Sequence, residues 1–326
     1  MYYIHTINNH HMIERPDPRP RYYEQLTSNT KFVIKDHLID RRWNIEQTHF
    51  LKFPKCSRHR ITYYIKTHFT KGYERRQKTR KTWGKNKSLV FIAFTKNAEE
   101  MPSDAGSSDL LLTNTFSETV DLLAVKIALG VYHASKCNSH AAFTDDDVYF
   151  FTDQFEKTIH DNWSIKKTVA VRGLVKVNEQ VVRDINSPWA KYLQTKEEYP
   201  YETFPAYANG AGYIASKLAI DKIIETIPYT MLLRHLDDVY FGLLCRDAGV
   251  ELEYDGMFTN GIEHITSDRK YPCGLYNLHG YNLVDEFIKV RDEQCKNNTR
   301  FRVIDWKNMI DRTNSMAKEI EALYGE

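Results

Sequence analysis

Ala141-Ala142-Phe143-Thr144-Asp145-Asp146-Asp147-Val148-Tyr149-Phe150 sets three consecutive carboxylates between two apolar runs. Read as a strand that ends in an acidic turn, the stretch brings oxygen ligands to the carboxyl edge of a sheet, where open α/β sheets bind their ligands. Hard cations such as Mg²⁺ or Mn²⁺ take carboxylate oxygens and are often completed by substrate phosphates. The pattern therefore points to a metal–diphosphate site. Short acidic runs also cap helices or face water, so the surrounding chain has to decide between the two.

Working outward, Leu122, Val125, Leu129 and Tyr132 fall at helical spacing, which predicts an amphipathic helix from Glu118 to Ser135 leading into the acidic strand. Further upstream, Ile61 to Ile65 reads as a strand, Tyr73 to Trp83 as a helix ended by Gly84, and Leu89 to Phe94 as a second strand. Met101 to Ser108 reads as a loop. Downstream, Val169 to Val177 is β-rich, and a long polar and aromatic segment then runs irregularly through Pro205. Tyr207-Ala208-Asn209-Gly210-Ala211-Gly212-Tyr213-Ile214-Ala215-Ser216 follows, whose Gly210 and Gly212 let backbone approach a ligand closely. Lys217 to Ile227 has helical character, as has Val239 to Asp247, which begins just after Asp237 and Asp238. The helix dipole alone would account for two carboxylates at that point. Strands alternating with helices predict an α/β fold with one mainly parallel sheet covered on both faces.

Residues 1 to about 50 carry Pro16, Pro18 and Pro20 among charges without a sustained period, so they read as an arm or stem, with the folded domain over 51–326. Lysine plus arginine (45) nearly balance aspartate plus glutamate (43), so no overall field argues for nucleic acid. The basic residues do cluster locally between Lys71 and Lys87. No run of 18 or more apolar residues is present, and Met1 to Pro20 lacks a signal peptide's apolar core, so the chain reads as soluble as written. Five cysteines without a CxxC pair argue against a zinc knuckle. A disulfide is expected among Cys245, Cys273 and Cys295. Asn162-Trp163-Ser164 and Asn297-Asn298-Thr299 are glycosylation sequons.

Four pieces in order, Arg76 to Gly84, the acidic triplet, Tyr207 to Ser216, and Asp238-Val239-Tyr240-Phe241-Gly242, resemble the β-1,3-galactosyl- and N-acetylglucosaminyltransferases of glycosyltransferase family 31. Val182-Arg183-Asp184 and Glu198-Tyr199-Pro200 extend the likeness, which runs from about Phe53 to His279. The resemblance implies a GT-A fold, a UDP-galactose or UDP-N-acetylglucosamine donor, Mn²⁺, a glycan acceptor and inversion at the anomeric carbon. It implies Asp147 as metal ligand with Asp145 beside it and His279 completing the shell. Asp145 and Asp146 would face the nucleotide, together with Arg76, Arg80, Gly210 and Gly212. Asp238 would be the catalytic base, with Asp237 as its neighbour. It also implies a Golgi setting with an amino-terminal membrane anchor, which is not visible here.

The chemistry fits these residue types. A departing diphosphate is neutralised by a divalent metal and guanidinium groups. Arg76 and Arg80, four residues apart, sit on one helical face and could present both guanidiniums to phosphate or uracil. A single displacement needs one base for the acceptor hydroxyl. A rival reading is a glycan-binding relative that has lost turnover. A metal-dependent phosphoesterase would need more ligands than the triplet and one distant histidine.

Overall fold

The computed structural model describes residues 45–96, 98, 100–259 and 275–279, together with the backbone of short strands at 32–34, 37–39, 270–272 and 303–305. The strands are β1 (Phe32–Ile34), β2 (His37–Ile39), β3 (Phe50–Lys52), β4 (Ile61–Lys66), β5 (Ser88–Phe94), β6 (Leu110–Thr113), β7 (His140–Asp145), β8 (Val148–Phe150), β9 (Val171–Lys176), β10 (Tyr207–Ala215), β11 (Leu252–Tyr254), β12 (Lys270–Pro272), β13 (Asn277–His279) and β14 (Val303–Asp305). The helices are α1 (Tyr73–Lys81), α2 (Leu123–Ser135), α3 (Thr152–Asn162), α4 (Lys217–Ile223) and α5 (Asp237–Ala248).

Eight strands form one sheet in the order β11-β9-β10-β7-β4-β5-β6-β3. Its centre, β7-β4-β5-β6, is parallel throughout, while β3, β10 and the β10–β9 pair run antiparallel to their neighbours. The central strands read as nearly unbroken apolar runs because both faces are covered. On one face Ile61, Tyr63 and Ile65 of β4 and Phe91 of β5 pack with Trp83, Phe155 and Ile159, so α1 and α3 lie there. On the other, Tyr64, Ile92 and Phe143 pack with residues of α2, α4 and α5. Rings of Tyr64, Phe143 and Tyr213 stack across β4, β7 and β10 at 5.3 and 5.4 Å. Burial of such rings is the main driving force for the fold.

Several expectations need adjustment. The folded sheet begins before residue 51, since Phe50 of β3 pairs with Thr113 and Ile45 is buried in the core. Residues 1–31 of the expected arm lie outside the described residues. The helix expected from Glu118 starts with a 3₁₀ turn, Val120–Leu122, before α2 proper. The glycine stretch is strand β10, with a register shift between Ala208 and Tyr213 that bulges Asn209 to Gly212 out of regular pairing. Cys56 and Cys137 form a disulfide, and Cys245 is free and buried. Cys273 and Cys295, named with Cys245 in the expected pairing, and Asn297 lie outside the described residues.

Candidate active site

Register brings the site together. In the parallel pair β4–β7 Lys66 stands opposite Asp145, so both strands end at one edge, and the acidic turn continues from it. The first turn of α5 meets the same edge. Lys66 Nζ lies 3.0 Å from Asp145 Oδ1 and donates a short hydrogen bond to Asp237 Oδ2. Burial disfavours the ammonium, but the Asp145 and Asp237 carboxylates outweigh it and raise the Lys66 pKa above the ordinary lysine value.

Each carboxylate of the triplet has a different environment. Asp145 is partly open to solvent, and burial together with the Asp237 and Asp147 charges pushes its pKa up to about 6 against the pull of Lys66. Asp146 is turned inward, its oxygens taken by Thr67 Oγ1 at 2.6 Å and Arg75 Nη1 at 2.8 Å. Asp147 keeps Oδ2 3.5 Å from the same Arg75 nitrogen. Its Oδ1 is shielded from solvent, carries no hydrogen bond of ordinary geometry, and lies 3.3 Å from His279 Nε2. Burial works against the Asp147 charge, but His279 and Arg75 hold its pKa below the ordinary carboxylate value.

Strand β13 explains how a histidine so distant in sequence arrives there. Asn277, Leu278 and His279 pair antiparallel with Phe150, Tyr149 and Val148 of β8, immediately after the turn. Buried Asn277 fixes that strand, donating to the carbonyls of Ala211 (3.0 Å) and Thr259 (3.1 Å) and accepting from Thr259 N–H at 2.9 Å. Gly212 makes the approach feasible, because a Cβ there would come within 2.9 Å of Asn277 Nδ2 and 3.0 Å of Phe150 Cζ.

Asp238 follows Asp237 in the first turn of α5. Its Oδ1 accepts from Val239 N–H at 2.8 Å, and its Oδ2 from Gly210 N–H at 3.3 Å across to the β10 bulge. Burial first, then the neighbouring Asp237 charge, pushes the Asp238 pKa up to about 7, against Lys66 and these backbone donors. A carboxylate with that pKa is matched to proton transfer near neutrality. The glycine stretch thus approaches Asp238 through Gly210.

The arginines differ most from expectation. Arg76 and Arg80 do share one face of α1, but that face turns to Asp104 and Asp109. Arg76 is fully buried and uses all five N–H groups, on both oxygens of Asp104, on the His68 and Phe69 carbonyls and on Thr67 Oγ1. It has no donor left for a phosphate, which corrects its assignment as a direct ligand contact. Arg80 is likewise engaged by Asp104 and by both oxygens of Asp109. Arg75, more than half exposed, is the α1 arginine that reaches the acidic turn. The 67–69 turn is held further by Lys126, which donates to the Thr67 carbonyl and to Glu118, whose Oε2 accepts from the Phe94 and Phe69 N–H groups.

Sequence reasoning missed Lys66 and reached Arg75 only as one member of the basic cluster between Lys71 and Lys87. A lone lysine closing the buried strand Ile61–Lys66 was the available signal, since a charge there must be paired. Nothing local distinguished Arg75 from Arg76.

The galactosyltransferase family model matches residues 74–255, which is more than half of the chain. The chain belongs to the galactosyltransferase family. Among its relatives is the β-1,3-galactosyltransferase 5 of Homo sapiens, 24% identical over 227 residues, 63% of this chain and 69% of that protein. The β-1,3-galactosyltransferase 5 of Gorilla gorilla gorilla is 24% identical over 231 residues, 64% of this chain and 74% of that protein. The β-1,3-galactosyltransferase 1 of Mus musculus is 26% identical over 194 residues, 55% and 58% of the two chains. Among solved structures, a galactosyltransferase LgtC in complex with donor and acceptor sugar analogues is similar at 10% identity, over 68% of this chain and 86% of that one, with a TM-score of 0.36. As a member of the family the chain is a glycosyltransferase by descent. No helix among the described residues is long and apolar enough to cross a membrane.

Proposed function

We propose that this chain is an inverting, GT-A-type β-1,3-glycosyltransferase that moves galactose or N-acetylglucosamine from a UDP-sugar to a hydroxyl of a glycan acceptor, with Asp238 as base and Mn²⁺ as the metal. The observation that carries the reading is the pairing, at one sheet edge, of a carboxylate–imidazole couple, Asp147 and His279, with a half-buried carboxylate of raised pKa, Asp238.

The donor set suits the metal. No group of three or more His, Cys, Asp or Glu side chains is placed to share an ion among the described residues. Two protein ligands nevertheless fit a cation whose remaining positions are filled by substrate phosphates and water. One carboxylate and one imidazole agree with Mn²⁺ preferences, and a shielded Asp147 oxygen without a proper hydrogen bond is the kind of atom such an ion satisfies. When bound, the ion supplies charge neutralisation of the leaving diphosphate.

The rest of the chemistry belongs to the chain. In its ionised form Asp238 takes the acceptor hydroxyl proton as that oxygen attacks the anomeric carbon, and the bond from carbon to diphosphate oxygen breaks to release UDP. The Val239 and Gly210 N–H groups hold the carboxylate in place, while Lys66 ties Asp237 and Asp145 to one cation and so fixes both sides of the edge. Arg75, exposed and next to Asp147, is the guanidinium suited to a phosphate. The disulfide Cys56–Cys137 supports an oxidising compartment, in keeping with a Golgi lumenal site of action.

The test is UDP release from a panel of UDP-sugars, with and without Mn²⁺ and glycan acceptors. The reading expects Mn²⁺-dependent release with UDP-galactose or UDP-N-acetylglucosamine, stimulated by acceptor. UDP binding without turnover on any acceptor would favour the glycan-binding relative instead.

A further inference from the structure

A cleft lies at the far end of α5 from Asp238. It has a volume of about 480 Å³, within the ~300–1,000 Å³ of small-ligand sites. Arg246 and Asp247 border it, the former eight residues beyond Asp238, or about 12 Å along the helix axis. No residue of the acidic turn, of the Asp237–Asp238 pair or of the β10 bulge lines it.

Its lining is aromatic with a polar edge. Tyr201 comes from the segment before β10 and Tyr229 from the turn after α4, while buried Tyr199, Met231 and Leu243 form the floor. Tyr229 is 55% exposed. The Tyr199–Tyr201 segment is fixed from behind, since Arg183 Nη2 donates to both of their carbonyls at 2.6 Å. The edge carries Lys222, Glu225, Arg246 and Asp247, two charges of each sign. Arg246 and Asp247 hold one another at 2.9 Å, and Thr230 Oγ1 donates to the other Asp247 oxygen at 2.7 Å.

This chemistry selects among ligand classes. A nucleotide or acidic peptide would meet as many anions as cations and gain little net attraction. A purely apolar segment would strip water from Lys222, Glu225 and the Arg246–Asp247 pair and return no polar contact. A neutral saccharide uses both parts, because its hydroxyls bond donors and acceptors alike and its C–H faces pack on aromatic rings. We infer that the cleft binds a neutral saccharide and anchors the acceptor glycan away from its reacting hydroxyl. That the saccharide is part of the acceptor rests on the glycosyltransferase reading; the binding itself does not.

The experiment is saturation-transfer NMR with titration, using lactose and N-acetyllactosamine as probes on the parent chain, Tyr229→Ala, Lys222→Ala and Asp147→Ala, with UDP–Mn²⁺ affinity measured on the same samples. Loss of the aromatic face should weaken disaccharide binding about tenfold in Tyr229→Ala, with a smaller loss in Lys222→Ala. The Asp147 variant should bind the sugar as the parent does, and UDP should not compete. Absence of disaccharide binding to the parent, parental affinity in Tyr229→Ala, or competition by UDP would overturn the inference. UDP–Mn²⁺ binding that persists in Tyr229→Ala while sugar binding falls separates the two sites. Failure of UDP–Mn²⁺ binding in the parent would count against the transferase reading and leave the cleft's own result standing.

Discussion

Replacing Lys66 by methionine keeps the volume of a buried side chain and removes a cation that touches both Asp145 and Asp237. Its side chain is only 3% exposed and that of Asp237 10%, whereas Asp145 keeps 37%. Breaking a buried ion pair by removing one partner costs about 3–5 kcal/mol, and the access of Asp145 to water argues for the low end, about 3 kcal/mol. The loss should depend on pH in a definite direction. A carboxyl whose pKa is raised in the folded state costs stability as it ionises, so the penalty is absent below the unfolded value of about 4 and grows as pH rises, at up to about 1.4 kcal/mol per unit for each group. Lys66 opposes such a rise at both Asp145 and Asp238. Lys66→Met should therefore lie close to the parent in urea denaturation at pH 5 and well below it at pH 8. It should also move the rising limb of the transfer rate to higher pH, because the Asp238 base loses a cation that favours its charge. Equal destabilisation at both pH values, or an unmoved rate profile, would refute the electrostatic role given to Lys66.

Three further outcomes follow from the same geometry. Asp147→Ala should abolish Mn²⁺-dependent UDP binding by calorimetry while leaving the circular dichroism of the fold unchanged, since this carboxylate supports no core packing. Arg76→Met should cost about 3 kcal/mol in denaturant unfolding, because it leaves the buried Asp104 with Arg80 as its cation and takes the Arg76 donors from the His68 and Phe69 carbonyls, yet the folded protein should bind UDP–Mn²⁺ like the parent. Gly212→Ala should lose about 1–3 kcal/mol by overpacking against Asn277 and Phe150, and with it metal affinity, since Asn277 sets the strand that carries His279.

Much of this fold was legible because the central strands are driven by strong local signals. Ile61–Ile65 is a β-branched and aromatic run and Leu89–Phe94 an apolar one, and α2 carries its stripe at helical spacing. Shorter pieces were not legible. Strands β3, β6, β8 and β13 have three or four residues each, too few for a period to emerge, and their pairing depends on partners far along the chain. The glycine stretch carries no strand signal because glycines punctuate turns, whereas here they serve a bulge inside a long strand. At the site, the acidic turn and the Asp237–Asp238 pair could be found as clustered charge. Their connection through Lys66 could not, since it depends on the register of β4 against β7. Spacing put Arg76 and Arg80 on one face correctly, but it could not tell whether that face met a ligand or the Asp104 and Asp109 carboxylates of a loop.

The central claim is that Asp238 is the base, and the most direct measurement is the rate of sugar transfer by Asp238→Asn against the parent across pH, with UDP–Mn²⁺ affinity measured alongside. For the parent, kcat/KM should rise with pH through about 7 and level off, because only the ionised Asp238 accepts the acceptor proton. The variant should lose about 10²–10⁴-fold in transfer, the usual share of general acid–base catalysis, together with that rising limb. Its UDP–Mn²⁺ affinity should stay parental. Turnover near that of the parent in Asp238→Asn, with the same pH profile, would contradict the assignment, and loss in Asp237→Asn instead would move the base one residue back.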